Sequence, residues 1–421
     1  MHAAELGFTA HHNTKVARYP LGTMLHVAHF SCDSANTGFV DVSLSARLPG
    51  GCASSSSAVN RIYLNSLLTW ATRNYGSKFI TRDSVMKIAI LHGPRDLRID
   101  EQSLDTDNLQ VDQLLVETRI SALKIGTDRG NYEGAEHVPG APGYPRWVGD
   151  SNLGIVRAVG REVRRFHVGD RVFGSLPHQS EYVACESDPM VRVPERVHDE
   201  DAVYTGLYAL SSLCFRKAHF QAGEFVAVVG LGVLGLGAVA LGPLMGARII
   251  AIGNSEVRLE MARRMGAHAS FLFDDPDLER QLEDVTRGVG IDLVIQTANP
   301  WPAFQKSVEI VRPGGRVSIV ALPGRGEPPL NFNPLDMKWF YQKGISLIAV
   351  SGEAGDLYPC SSTRFDRIRE REFVLDLMAD GSLEPKRLVT HRFHYSEMVK
   401  AYEMAYRREK NMLGVIFQWS Q

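Results

Sequence analysis

Cysteine is scarce in this chain. Five residues, Cys32, Cys52, Cys185, Cys214 and Cys360, are scattered through 421 positions with no Cys-x-x-Cys pair. That spacing indicates neither a disulfide framework nor a thiolate zinc knuckle. Long apolar runs are missing too: no segment approaches the roughly 20 residues that span a bilayer. The most apolar stretch, Phe225 to Met245, is broken by glycines and fits a strand, a turn and a helix. An excess of one charge is also absent, since 46 Lys and Arg stand against 48 Asp and Glu for a net charge of -2. The chain therefore carries no electrostatic footprint for nucleic acid or an anionic membrane. What remains, 44% hydrophobic and 22% charged residues, suits a globular protein of two or three domains. A cytoplasmic location and a small-molecule partner are expected.

Residues 1–85 are Ser-rich around Ser54 to Ser57, poor in acidic residues and without sustained periodicity. They read as an N-terminal extension, either a disordered tail or an over-called start; an organelle-targeting peptide stays open. At Met86 the texture changes to Met86-Lys87-Ile88-Ala89-Ile90-Leu91, a strand opening that makes Met86 a plausible initiator. Residues 86–205 show short strands between Gly and Pro turns, among them 114–118, 154–160 and 170–174. From 206 to 350 strands and helices alternate, the pattern of a parallel sheet covered by helices on both faces. Residues 351–421 add two helices and a last strand at 414–418. The fold class is α/β.

The strand Val226 to Val229 runs into Gly230-Leu231-Gly232-Val233-Leu234-Gly235, and a helical segment follows at once. Strand, Gly-x-Gly-x-x-Gly and helix in this order form a dinucleotide-binding turn. Gly230 allows the tight turn, Gly232 lets backbone approach the pyrophosphate, and Gly235 lets helix and strand pack closely. An NAD site carries an acidic residue at the end of the second strand to hold the ribose 2'-hydroxyl. Here that place reads Ile252-Gly253-Asn254-Ser255, with Arg258 in the next turn. Without the repelling carboxylate, NADP(H) is expected over NAD(H), with Arg258 reaching toward the 2'-phosphate. Val233, Leu234, Thr297 and Leu322 complete the expected cofactor contacts.

Ordered motifs over nearly all of residues 86–421 resemble the medium-chain dehydrogenase/reductase superfamily. Ile125-Gly126-Thr127-Asp128 is similar to its Cys-Gly-Thr-Asp region and Gly149-Asp150-Ser151 to its Gly-His-Glu region. Val168-Gly169-Asp170-Arg171-Val172 and Val311-Arg312-Pro313-Gly314-Gly315-Arg316 match further elements. The resemblance implies a GroES-like β-rich catalytic domain, completed by the chain after 350, with a doubly wound Rossmann domain inserted between its halves. It also implies a zinc site whose ligand places are here Ile125, Asp150 and Tyr204, so a zinc-independent member is expected. No four-cysteine loop for a structural zinc intervenes between Gly174 and Glu181. Residues 149–154 and 177–182 look most like the branch containing bacteriochlorophyllide hydroxyethyl dehydrogenase.

Hydride transfer without a metal needs a proton donor near the atom gaining charge. Thr127 holds the family's hydroxyl relay position. Tyr204 could donate a phenolic proton if a cation lowered its pKa. His178 sits in a loop where an imidazole could act near neutral pH, Lys124 is a further cation, and Asp150 could orient one of these. The expected reaction is carbonyl to secondary alcohol, with an enone or quinone reductase as the alternative. A nucleotide-binding sensor or structural protein without turnover is the reading of another class. The strand Ile345 to Val350 is a candidate edge for a homodimer.

Overall fold

The computed structural model describes residues 84–134, 143–350 and 364–419, together with the backbone of four earlier strands. The chain divides into two units, Met1–Ile80 and Thr81–Gln421. In the first, β1 (Ala10–His11), β2 (Thr14–Leu21), β3 (Met24–Cys32) and β4 (Val40–Arg47) pair in chain order as an antiparallel sheet. The sequence pattern predicts no element there. The Ser-rich stretch near residue 55 lies outside the described residues.

In the second unit β5 (Ser84–Gly93) begins two residues before Met86 and pairs with β6 (Asp96–Leu104) and β8 (Arg146–Trp147). A seven-stranded sheet follows, built from β7 (Gln113–Ala122), β9 (Asn152–Val159), β10 (Arg171–Gly174), β11 (Glu181–Cys185), β12 (Val191–Arg192), β19 (Val389–His394) and β20 (Gly414–Gln418). The late strand β20 lies beside β7, with Ile416 opposite Ala122 and Phe417 opposite Ser121. The end of the chain therefore completes the sheet that the first strands begin. Along β7 the even positions Leu114, Val116, Thr118 and Ile120 are buried, the period-two pattern of a strand with one face in a core.

Between these parts β13 (Phe225–Val229), β14 (Arg248–Gly253), β15 (Ala269–Leu272), β16 (Ile291–Gln296), β17 (Val311–Ile319) and β18 (Ser346–Ala349) form a parallel sheet in the order β15-β14-β13-β16-β17-β18. Every residue of β16 and four of the five in β13 are buried, as a sheet covered by helices on both faces requires. β13 pairs with both β14 and β16, and the chain reverses direction across the sheet at this point. The crevice outside the carboxyl ends of such strands is where dinucleotides bind. β18 is an edge strand, as expected for 345–350. The helix Leu278–Thr286 has no counterpart in the sequence reading, although Leu278, Leu282 and Thr286 are buried at four-residue spacing. Charged residues at every intervening turn hide that stripe.

The glycines of the turn after β13 do different things. Gly230 has φ +98°, a conformation side chains resist, and a Cβ on Gly235 would lie 1.9 Å from the Gly230 carbonyl oxygen. A Cβ on Gly232 meets nothing within 4 Å. Gly235→Ala should therefore cost about 3 kcal/mol in denaturant unfolding. Gly232→Ala should keep stability within about 0.5 kcal/mol and weaken dinucleotide binding, read by fluorescence titration. Equal stability losses in the two variants would contradict these roles.

Candidate functional site

The dinucleotide turn is locked from behind. The Thr297 hydroxyl donates to the Gly230 carbonyl at 2.7 Å, and Gly230 N–H donates to Ile252 O at 3.0 Å. Gly232 caps the helix Val233–Leu244 with no side chain in the way. Val233 is buried and Leu234 packs against the same core, so both fix the helix. Leu322 is exposed, and its N–H donates to Asn299. At the ribose end Gly253 is buried, Asn254 is exposed and Ser255 opens the helix Glu256–Arg264 without a side-chain cap bond. A Cβ on Gly253 would lie 2.7 Å from Leu231 Cδ1, so this glycine also serves the packing. Arg258 is placed differently from the expectation. Its guanidinium donates to Leu231 O at 2.9 Å and to Met412 O at 3.3 Å, tying the glycine turn to the segment before β20. Burial lowers its pKa. It is a brace of the turn rather than a free cation awaiting a phosphate.

A second centre lies at the helix Ile125–Tyr132. Lys124, its N-cap residue, forms an ion pair with Asp150, and the two side chains are 15% and 38% exposed. Behind them Asp128 is buried. Its carboxylate accepts from Lys124 N at 2.8 Å and from Gly149 N at 3.2 Å. Burial, then the charge of Asp150, push its pKa up to about 7, against the pull of both backbone bonds and the Lys124 cation. The sequence reading names Asp128 only as part of a motif and gives it no chemical role. Its place in the Gly-Thr-Asp motif was the available signal. Thr127 is exposed on the first turn of the same helix.

Two expected donors lie elsewhere in character. His178 is fully buried, with Nδ1 2.8 Å from Ser121 Oγ and its ring edge-on to Phe417 at 5.1 Å. Burial lowers its pKa to about 3, so it stays neutral and cannot act as an acid near neutrality. Gly149 makes room for it, since a Cβ there would sit 2.7 Å from the imidazole. Tyr204 is buried in the core beside the helix Thr205–Lys217, its hydroxyl 3.4 Å from Val415 O. Burial and the Glu200 charge raise its pKa. The Arg392 cation pulls the other way but is outweighed, so the condition set for Tyr204, a lowered pKa, is not met. The structure thus brings Lys124, Asp150, Asp128 and Thr127 together and leaves Tyr204 in the core.

A family model described as zinc-binding dehydrogenase matches residues 233–360. The chain is 25% identical over 363 residues to sorbitol dehydrogenase of Bacillus subtilis (79% of this chain, 96% of the relative). It is 26% identical over 343 residues to L-threonine 3-dehydrogenase of Anaeromyxobacter sp. (73% and 92%). Among solved structures it is similar to galactitol-1-phosphate dehydrogenase from Escherichia coli (TM-score 0.67, 19% identity, 79% of this chain and 99% of that one). It is also similar to 2R,3R-butanediol dehydrogenase from Bacillus subtilis (TM-score 0.66, 19% identity, 79% and 99%). These likenesses share one fold, a Rossmann domain beside a GroES-like domain, with the chain described here. The zinc-binding description covers the dinucleotide half, not positions 125, 150 and 204. The donor set at the three positions where the resemblance implies zinc ligands does not fit the metal. Ile125 has no donor atom, Asp150 is committed to Lys124, and the Tyr204 phenol is buried in the core. Among the described residues no group of three His, Cys, Asp or Glu side chains is placed to hold a metal.

Asp128 reports on this centre through pH. Its folded-state pKa is raised from 3.8 to about 7, so the folded protein binds the proton more tightly than the unfolded chain. Its contribution is fully present below about pH 4 and is lost as the pH rises through 7. Lys124→Met removes a cation that lowers this pKa and should move the midpoint up. Asp150→Asn removes an anion that raises it and should move the midpoint down. Carboxyl-carbon NMR titration reads both shifts, and displacement in the same direction would show that the pair does not face Asp128.

Proposed function

We propose that this medium-chain oxidoreductase interconverts a secondary alcohol and its carbonyl with NADP(H) and without zinc, Lys124 acting as the proton donor. The observation that carries the reading is the Lys124–Asp150 ion pair, set over buried Asp128, with Asp150 at one of the positions where the family resemblance implies a metal ligand. The relatives' names, sorbitol dehydrogenase and L-threonine 3-dehydrogenase, support alcohol chemistry.

The bound nicotinamide supplies the hydride in the reducing direction. The carbonyl oxygen then gains charge, and the partly exposed Lys124 ammonium is the cation to stabilise it and pass it a proton. Asp150 keeps the ammonium in position, while the two backbone bonds to Asp128 hold the start of the helix against the Gly149 turn. Thr127, on the exposed turn, offers its hydroxyl for orienting the substrate oxygen or the nicotinamide ribose. His178, neutral and buried, braces β7 through Ser121.

The NADP(H) preference follows from the missing carboxylate. Gly253, exposed Asn254 and Ser255 present neutral groups where a ribose 2'-phosphate would lie. Titration should find NADPH at least about tenfold tighter than NADH. Asn254→Asp should weaken NADPH by a further tenfold or so, about 1.4 kcal/mol, with a smaller effect on NADH. Aspartate at 253 is a poorer probe because it must displace the buried Leu231. A parent protein that binds both cofactors equally would overturn the preference.

A further inference from the structure

Met412 and Leu413 form a seam between the two domains, because their side chains enter different cores. Met412 is buried with Leu123, Tyr402 and Phe417, in the core behind the Lys124 centre. Leu413 is buried with Val228 and Leu231, in the core under the dinucleotide turn. The seam is bonded from both domains. Leu413 N–H donates to the Thr390 hydroxyl of β19 at 3.0 Å, and that hydroxyl donates to Gly414 O at 3.2 Å. From the other side Arg258 donates through Nη1 to Leu231 O at 2.9 Å and through Nη2 to Met412 O at 3.3 Å. Just beyond, Val415 O accepts from Leu123 N–H at 3.0 Å, and Leu123 directly precedes Lys124. One guanidinium therefore joins the glycine turn to the backbone that carries the ammonium.

The turn does not need Arg258 for its own shape. Gly230 N–H donates to Ile252 O and the Thr297 hydroxyl donates to Gly230 O, both within the dinucleotide domain. What the guanidinium adds is the register of the turn against the seam. Its N–H groups sit at fixed spacing in a planar fork and join two carbonyls at once, which a lysine ammonium on a flexible stem does not reproduce. Domains of one chain move against each other unless their interface holds them. A displacement of about 1 Å at a reacting centre costs on the order of 10²-fold in rate.

We propose that Arg258 is a positioning residue for hydride transfer: through its two carbonyl bonds it sets the nicotinamide carried by the glycine turn against the Lys124 centre. This rests on the reading of Lys124 as the proton donor for a carbonyl. Arg258 acts through backbone, by way of Met412, Val415 and Leu123, rather than by contact with the reacting atoms. A cofactor seated on the turn therefore steadies the Leu123 amide, and removing the guanidinium uncouples the two. A ligand for the ribose 2'-phosphate has no such effect. Arg258→Met removes both bonds and keeps an apolar stem, whereas Arg258→Lys keeps the charge and at most one of the bonds.

The test uses the full chain with and without saturating NADPH and reads amide hydrogen exchange. In the parent, NADPH should slow exchange of the Leu123 amide at least about fivefold. That slowing should vanish in Arg258→Met and survive in part in Arg258→Lys. Fluorescence titration should find NADPH affinity within about threefold of the parent in both variants, which also shows that they are folded. The second arm measures steady-state reduction of hydroxyacetone. Arg258→Met should lower kcat about 10- to 100-fold with KM within about threefold, and Arg258→Lys should recover part of the rate. Unaltered protection and kcat in Arg258→Met would overturn the proposal. So would a loss of NADPH affinity that spares NADH, which would make Arg258 the 2'-phosphate ligand. If Arg258→Met loses the protection but the parent reduces no ketone, the brace between turn and seam stands and the Lys124 reading falls. If ketone reduction depends on Lys124 and ignores Arg258→Met, the reverse holds.

Discussion

The site depends on one buried carboxylate. Asp128 accepts two backbone N–H groups, from Lys124 at the start of its helix and from Gly149 in the turn before β9. These bonds join two chain segments that would otherwise be independent loops, and they place Asp150 beside Lys124. Burying the carboxylate raises its pKa to about 7, so the join carries an electrostatic cost that the nearby ammonium offsets. A cation is thereby fixed beside Ile125 and Asp150, two of the positions where the family resemblance implies metal ligands.

The end of the chain supports this arrangement from the other side. β20 packs along β7, and Phe417 and Tyr402 enclose His178. Trp419 donates to the Ser121 hydroxyl that also faces the imidazole. Arg258 does comparable work across the domain junction by bonding Leu231 in the glycine turn and Met412 just before β20. The dinucleotide turn and the chemical centre are thus held by the same C-terminal segment.

Much of the fold was legible because its signals are local. The strand, glycine turn and helix at 225–244 follow from periodicity and from glycines at fixed offsets, and β20 has the bounds expected from its apolar run. The short β15 and the charged helix Leu278–Thr286 were not legible, since neither carries a long apolar pattern. The candidate site was legible in its parts but not in its pairings. Lys124, Asp150, Thr127, His178 and Tyr204 are all identifiable as chemistry-bearing residues. Burial, which no local pattern reports, neutralises His178 and withdraws Tyr204. Arg258 looks like a free cation on a first helical turn, and only tertiary packing reveals the two carbonyls it braces.

The central claim is that a lysine ammonium, rather than a metal, serves the carbonyl oxygen. Chelator-treated, metal-analysed protein assayed for NADPH-dependent carbonyl reduction, alongside Lys124→Met, tests it most directly. The account predicts that the parent keeps its turnover after chelation and that Lys124→Met loses about 10²- to 10⁴-fold in kcat while still binding NADPH. Turnover that chelation abolishes and zinc restores, or a Lys124→Met variant as fast as the parent, would contradict it.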